Sequence, residues 1–109
     1  MQDLLNAAPS APTNLRATVV TSNSVQFQWT APFIANGVII HYTVEVTDNI
    51  TGEISSANVN TMAAEALGLT SCGKYSIAVS ATTACDGCTG PLSDAISLSV
   101  PANSVINCF

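Results

Sequence analysis

Charge is what this sequence has least of. Only nine of its 109 side chains are charged, seven Asp/Glu against Arg16 and Lys74. That is 8 % of the chain, where ordinary globular domains carry roughly 25 %. Two cations and a net charge of −5 exclude a phosphate-backbone surface, which needs clustered Lys and Arg, so no nucleic-acid partner is expected. Long apolar runs are also missing, although 48 % of the residues are hydrophobic and the mean hydropathy is +0.40. The longest strongly apolar run, Val38 to Ile40, falls far short of the roughly 20 residues of a spanning helix, so no direct membrane insertion is expected. Histidine occurs once, as His41, which leaves no second imidazole for a metal pair. A Gly-rich phosphate loop, a nucleophile elbow and a basic–aromatic stripe are all absent. The carboxylates are scattered, and Asp86 and Asp94 alone share a loop, too little for an acid/base pair or a calcium cage. The expectation is a protein that is not an enzyme, with no cofactor and no metal.

Hydroxyls are what is there instead. Twelve Ser and twelve Thr are spread along the chain and supply the polar surface that charges usually provide. The length fits one domain with a core of its own. Period-two alternation dominates: Val25, Phe27 and Trp29 share one face, as do Tyr42, Val44 and Val46, then Tyr75, Ile77, Val79 and Ala81, then Ile96, Leu98 and Val100. Leu15, Ala17 and Val19 begin a further run. Each reads as a half-buried antiparallel strand with one face in water. Turn chemistry separates the runs at Thr21-Ser22-Asn23, Asn36-Gly37, 48–52, 71–73 and 86–91. Short strands at this spacing predict a β-sandwich or barrel. The stretch 61–69 suits a helical turn as well as a strand, and context assigns it to a strand. Residues 1–8 read as a disordered leader or linker without a secretion signal, and both ends look cut from a longer chain.

Several residue groups carry a family resemblance. Ala11-Pro12-Thr13-Asn14-Leu15 leads in, Trp29 is followed by Pro32, and Tyr42-Thr43-Val44 lies on the third strand. Gly68-Leu69 precedes Tyr75 by six residues, then come Val79-Ser80-Ala81 and Gly90-Pro91-Leu92-Ser93. Together, over residues 9–101, they resemble a fibronectin type III domain. The resemblance implies an all-β, immunoglobulin-like sandwich of seven antiparallel strands in two sheets. The strands would be A 14–20, B 24–30, C 39–47, C′ 54–60, E 63–69, F 74–83 and G 95–100, with A, B and E facing C, C′, F and G. Trp29, Tyr42, Leu69 and Tyr75 would be structural core, the tyrosine anchoring the E–F corner through its hydroxyl.

The family does not need a disulfide across the sandwich, so Cys72, Cys85, Cys88 and Cys108 are a departure. In the implied fold, strand F separates Cys72 from Cys85 by roughly 35–40 Å at about 3.3 Å per residue, while a disulfide tolerates about 7 Å between Cα atoms. Strand G returns towards the start of F, which brings the segment 102–109 back within reach. The expected pairs are Cys72–Cys108, tying that segment back, and Cys85–Cys88 within the F–G loop. A four-cysteine zinc site is opposed by the same separation. A redox Cys-x-x-Cys would need a helix after Cys85-Asp86-Gly87-Cys88, and Thr89-Gly90-Pro91 follows instead. Even-numbered, paired cysteines favour an oxidising, extracellular setting. Asn49-Ile50-Thr51 is the one N-glycosylation sequon, so Asn49 is a candidate glycan site.

With no catalytic constellation, function falls to loops and faces. In the implied fold the B–C loop (Phe33, Ile34, Asn36, Val38) and the F–G loop (Asp86, Gly87, Thr89, Leu92) share one pole. Phe33 and Ile34 either cap the core beneath their loop or form a contact patch. The Arg-Gly-Asp tripeptide of some family members is missing, as is the cytokine-receptor Trp-Ser-x-Trp-Ser signature. The reading is an extracellular protein–protein interaction module of a receptor, adhesion or matrix protein, secreted or on an ectodomain. Its partner would be another protein or neighbouring domains of the same chain. The alternatives are a structural spacer, or an accessory domain of a secreted carbohydrate-active enzyme. Outward strand positions filled by Ser, Thr and Ala lack lysine gatekeepers, which adds an expectation of weak self-association.

Overall fold

The computed structural model describes residues 8–84 and 88–102. Seven strands run in chain order: β1 (Thr13–Val20), β2 (Val25–Thr30), β3 (Ile39–Asp48), β4 (Ile54–Val59), β5 (Ala63–Ala66), β6 (Lys74–Thr83) and β7 (Ile96–Ser99). They form a three-stranded sheet, β1-β2-β5, and a four-stranded sheet, β4-β3-β6-β7. Every pairing is antiparallel. No helix occurs among the described residues. This is the expected sandwich, with the expected partition of strands between sheets.

Alternation fixes the core. On β2, Val25, Phe27 and Trp29 are buried while Gln26, Gln28 and Thr30 face water. From the other sheet they meet Tyr42, Val44, Ile77, Val79 and Ala81. The Trp29 ring packs on Phe27 at 5.9 Å between centroids and takes an edge-on contact from Tyr42 at 5.4 Å and 69°. Such tilted arrangements are the favoured ones for aromatic quadrupoles. Tyr42 links β3 to β2, so this stack joins the two sheets. Leu69, expected in the core, is half-buried and packs against its margin.

The Tyr75 hydroxyl accepts the Thr70 amide at 2.9 Å, closing the corner before β6. Gly73 belongs to the same corner: a Cβ there would stand 2.7 Å from the Tyr75 ring and 2.8 Å from the Thr70 carbonyl.

Two strands depart from the alternation. β5 is a strand and not a helical turn, but it stops at Ala66, because Gly68 turns at φ +69° and Leu69 donates its amide to the Asn23 carbonyl instead. On β1, Leu15 is half-buried, yet Ala17 and Val19 are exposed. Register shifts between Thr13 and Arg16 and between Ala17 and Val19 break the pairing with β2, and Asn14 adopts φ 58°. Past Leu15, neither face of the strand is buried.

Tyr75→Phe should lower the unfolding free energy by about 1–3 kcal/mol, because a partly buried amide loses its acceptor. Urea unfolding monitored by Trp29 fluorescence measures it; unchanged stability would deny the corner its role.

Candidate interaction surface

β2 ends where Pro32, which has no N–H to donate, follows Ala31. The loop turns back at Asn36, φ 58°, and Gly37. Asparagine tolerates this left-handed conformation better than most residues, and glycine needs no such tolerance. On both sides of this turn the apolar side chains are pushed out: Phe33 is 96 % exposed, Ile34 58 % and Val38 77 %. Phe33 and Ile34 therefore do not cap the core beneath their loop.

The loop is nevertheless held. The Ser10 amide donates to the Ile34 carbonyl at 2.8 Å, and the Ile34 amide donates to Ser10 Oγ at 3.0 Å. Asn36 Nδ2 donates to the Ala8 carbonyl at 2.8 Å. Residues 8–10 also touch the opposite loop, where a Cβ on Gly90 would lie 2.1 Å from the Pro9 carbonyl oxygen. The lead-in segment is therefore wedged between the two loops and joins them. No local sequence signal announced these long-range bonds of Ser10, Asn36 and Gly90.

The F–G side extends strand β6 beyond its pairing with β7. The Gly90 amide donates to the Ala81 carbonyl at 2.9 Å, and Thr82 bridges to Thr89, their hydroxyls 2.8 Å apart. Ser93 exchanges bonds with Val79, accepting its amide on Oγ at 3.0 Å and donating its own to the Val79 carbonyl at 2.8 Å. Hydroxyls thus replace ladder partners where the chain kinks through Pro91. Leu92 is 43 % exposed and Thr89 is exposed. Asp86 and Gly87 lie outside the described residues.

Cys85 and Cys108 also lie outside them. Cys72 and Cys88 are described, and neither is a free thiol. They sit beyond opposite ends of the ten-residue β6, about 30 Å apart at strand rise. The Cys72 amide donates to the Val100 carbonyl at 3.0 Å, and the buried Cys88 accepts the Thr83 amide on its carbonyl at 3.0 Å.

Asn49 stands exposed in the turn between β3 and β4, its Nδ2 donating to Ser76 Oγ at 2.9 Å. In the same turn Asp48 Oδ1 accepts the Ile50 and Thr51 amides, which lowers its pKa below the ordinary 3.8. The turn is therefore supported above the ordinary value, and that support is lost as pH falls through the lowered one. Burial raises the Tyr42 pKa. His41 is half-buried on β3, and the described residues hold no group of three or more His, Cys, Asp or Glu able to take a metal.

The family model for the fibronectin type III domain matches residues 10–98. No curated protein matches the sequence. Among solved structures, the FN5 domain of Drosophila Lar is 28 % identical with a TM-score of 0.72, over 88 % of this chain and 100 % of that one. The third fibronectin III domain of human KIAA0343 protein is 20 % identical with a TM-score of 0.75, over 91 % and 88 %. The FN1–FN3 domains of chicken CNTN1 give 19 % and 0.74, over 87 % of this chain and 33 % of that one.

Gly90→Ala should open the contact between the lead-in segment and the F–G loop, since the added methyl meets backbone and not a movable side chain. The expected result is a loss of about 1–3 kcal/mol together with faster hydrogen exchange at the Ser10 and Ile34 amides. Unaltered exchange at those two amides would contradict the wedge.

Proposed function

The chain belongs to the fibronectin type III family, and from that premise we propose that it is an extracellular protein–protein interaction module whose B–C and F–G pole meets the partner. Domains of this family are non-catalytic and commonly serve as interaction or spacer modules in multi-domain chains. The observation that carries the reading is the exposure of Phe33, Ile34 and Val38 on a loop pinned by its own backbone bonds. Apolar side chains held in water by a braced loop lose little conformational freedom on binding, which favours association. The loop 31–38 carries no charge at all, so its complement is an apolar surface of a protein partner or of a neighbouring domain. Thr89 and Leu92 flank it on the F–G side.

Compartment follows from the cysteines in this reading. We assign the pairs Cys72–Cys108 and Cys85–Cys88. In support, Val100, the residue after β7, is bonded to Cys72, and the Thr83–Cys88 bond draws the ends of the F–G turn together. The chain-entropy contributions are about 4 kcal/mol for the long loop and about 2 kcal/mol for the short one. Glycosylation of Asn49 fits the same setting, because the residue is exposed and a glycosylated amide keeps one N–H for Ser76. Weak self-association through the β1 edge belongs to this reading too, with Val19 46 % and Val20 40 % exposed there. The alternatives remain a spacer, or an accessory domain of a secreted carbohydrate-active enzyme.

Photoreactive benzoylphenylalanine replacing Phe33 in the full parent protein separates interaction from spacing. The expected product is a cross-link to a different chain. A cross-link confined to an adjacent domain of the same chain would make this a spacer, and no cross-link at all would contradict the pole as a contact site. A non-reducing peptide map should join Cys72 to Cys108 and Cys85 to Cys88; a Cys72–Cys85 peptide would overturn the pairing.

A further inference from the structure

The sandwich is open along one side. β4 and β5 are edge strands of opposite sheets, and between them lies a cleft of ≈ 430 Å³. Ligand sites typically span about 300–1,000 Å³. Its apolar lining includes Phe27, Val44, Val46 and Ala64, and its charged lining is Asp48, Glu53 and Glu65. Three of the seven carboxylates of the chain thus border one cleft, Asp48 and Glu53 at one end and Glu65 from the outward face of β5, where Gln26 Nε2 donates to it at 3.3 Å, while neither cation contributes to it. Arg16 is engaged on β1 with the Asn14 carbonyl and Gln28, and Lys74 reaches Ser99. Asp48 is held ionised by the Ile50 and Thr51 amides.

The wall of this cleft is also an unblunted edge. β4, Ile54-Ser55-Ser56-Ala57-Asn58-Val59, pairs with β3 in unbroken register through all six residues. It carries no charge, proline or bulge, the devices that usually deter another strand. An extended segment pairing there would send alternate side chains towards the cleft.

We propose that the β4–β5 cleft is a docking groove for an extended, Lys- or Arg-bearing peptide segment of a partner protein. The segment adds a strand to β4, places apolar side chains against Val44 and Val46, and meets Glu53, beside Asp48, with its cations. Charge selects this occupant over the others within reach. A second copy of the chain brings a net charge of −5 to a rim that is already acidic. Residues 103–109, Asn-Ser-Val-Ile-Asn-Cys-Phe, bring no cation. The groove is separate from the pole that carries Phe33 and Ile34, so the two sites stand or fall independently.

The probes are three capped octapeptides, Thr-Val-Thr-Val-Thr-Lys-Thr-Lys (Lys–Val) and its counterparts with Ser for Val (Lys–Ser) and Glu for Lys (Glu–Val), which carry the apolar and charged side chains on one strand face. Each is titrated into the full chain while the chain's amide resonances are followed by NMR. The Lys–Val peptide should shift β4 and β5 amides, with the Lys–Ser peptide binding at least tenfold more weakly and the Glu–Val peptide leaving the spectrum unchanged. Glu53→Gln, at an exposed position, should weaken Lys–Val binding at least fivefold, whereas Phe33→Ser should not alter it. Equal binding of Lys–Val and Lys–Ser would reduce the effect to bulk charge and overturn the proposal. Concentration-dependent shifts of β4 in the free chain would hand the groove to a second copy. Overhauser contacts from Phe109 to Val46 or Ala64 would hand it to the C-terminal segment. Either result overturns the proposal.

Discussion

Everything in this sandwich depends on one contact, the face of β2 pressed against β3 and β6. Val25, Phe27 and Trp29 carry the three-stranded sheet onto Tyr42, Val44, Ile77 and Val79, and all seven are buried. At roughly 1.5–3 kcal/mol for each large apolar side chain taken out of water, this layer outweighs any other single interaction described above. It tolerates a polar cost: the Trp29 indole nitrogen is buried with no hydrogen-bond partner among the described residues. The contact is also lopsided. β1, β4 and β5 contribute few buried residues, so the sheets are clamped along the middle and diverge at the β4–β5 side.

The scarcity of charge looks different once placed on this frame. Ordinary surfaces use ionic side chains for solubility, whereas here hydroxyls face water and also complete backbone ladders. Ser93 stands in for a strand partner of Val79, Thr82 meets Thr89, and Ser10 secures the Ile34 amide. A hydroxyl both donates and accepts, so it can close a kinked strand that a lysine could not. Of the few carboxylates, three border the open cleft.

Much of the fold was legible because the alternation is strong where burial is deep. β6 occupies its expected residues, and β2, β3, β4 and β7 fall within one residue of theirs at each end. The Tyr75 corner could be inferred from Leu69 and the spacing to Tyr75 alone. β1 was less readable because its register shifts leave no mark in composition and, past Leu15, neither face of the strand is buried. β5 was shortened by a backbone bond from Leu69 to Asn23, which joins residues far apart in sequence. The candidate surface was half legible: the loop residues could be named, but their exposure depends on the lead-in segment wedged against Ile34, Asn36 and Gly90. Such long-range hydrogen bonds have no periodicity to betray them.

The central claim is that the core contact and the lead-in wedge together hold an uncharged, apolar loop rigidly in water. Backbone ¹⁵N relaxation on residues 33–38 tests this most directly, because it reads order on the timescale at which unbraced loops move. The account predicts order parameters near the rigid value of about 0.85, matching the amides of β2 and β6. Values below about 0.6 across Phe33, Ile34 and Val38 would mean a loose loop and would contradict it.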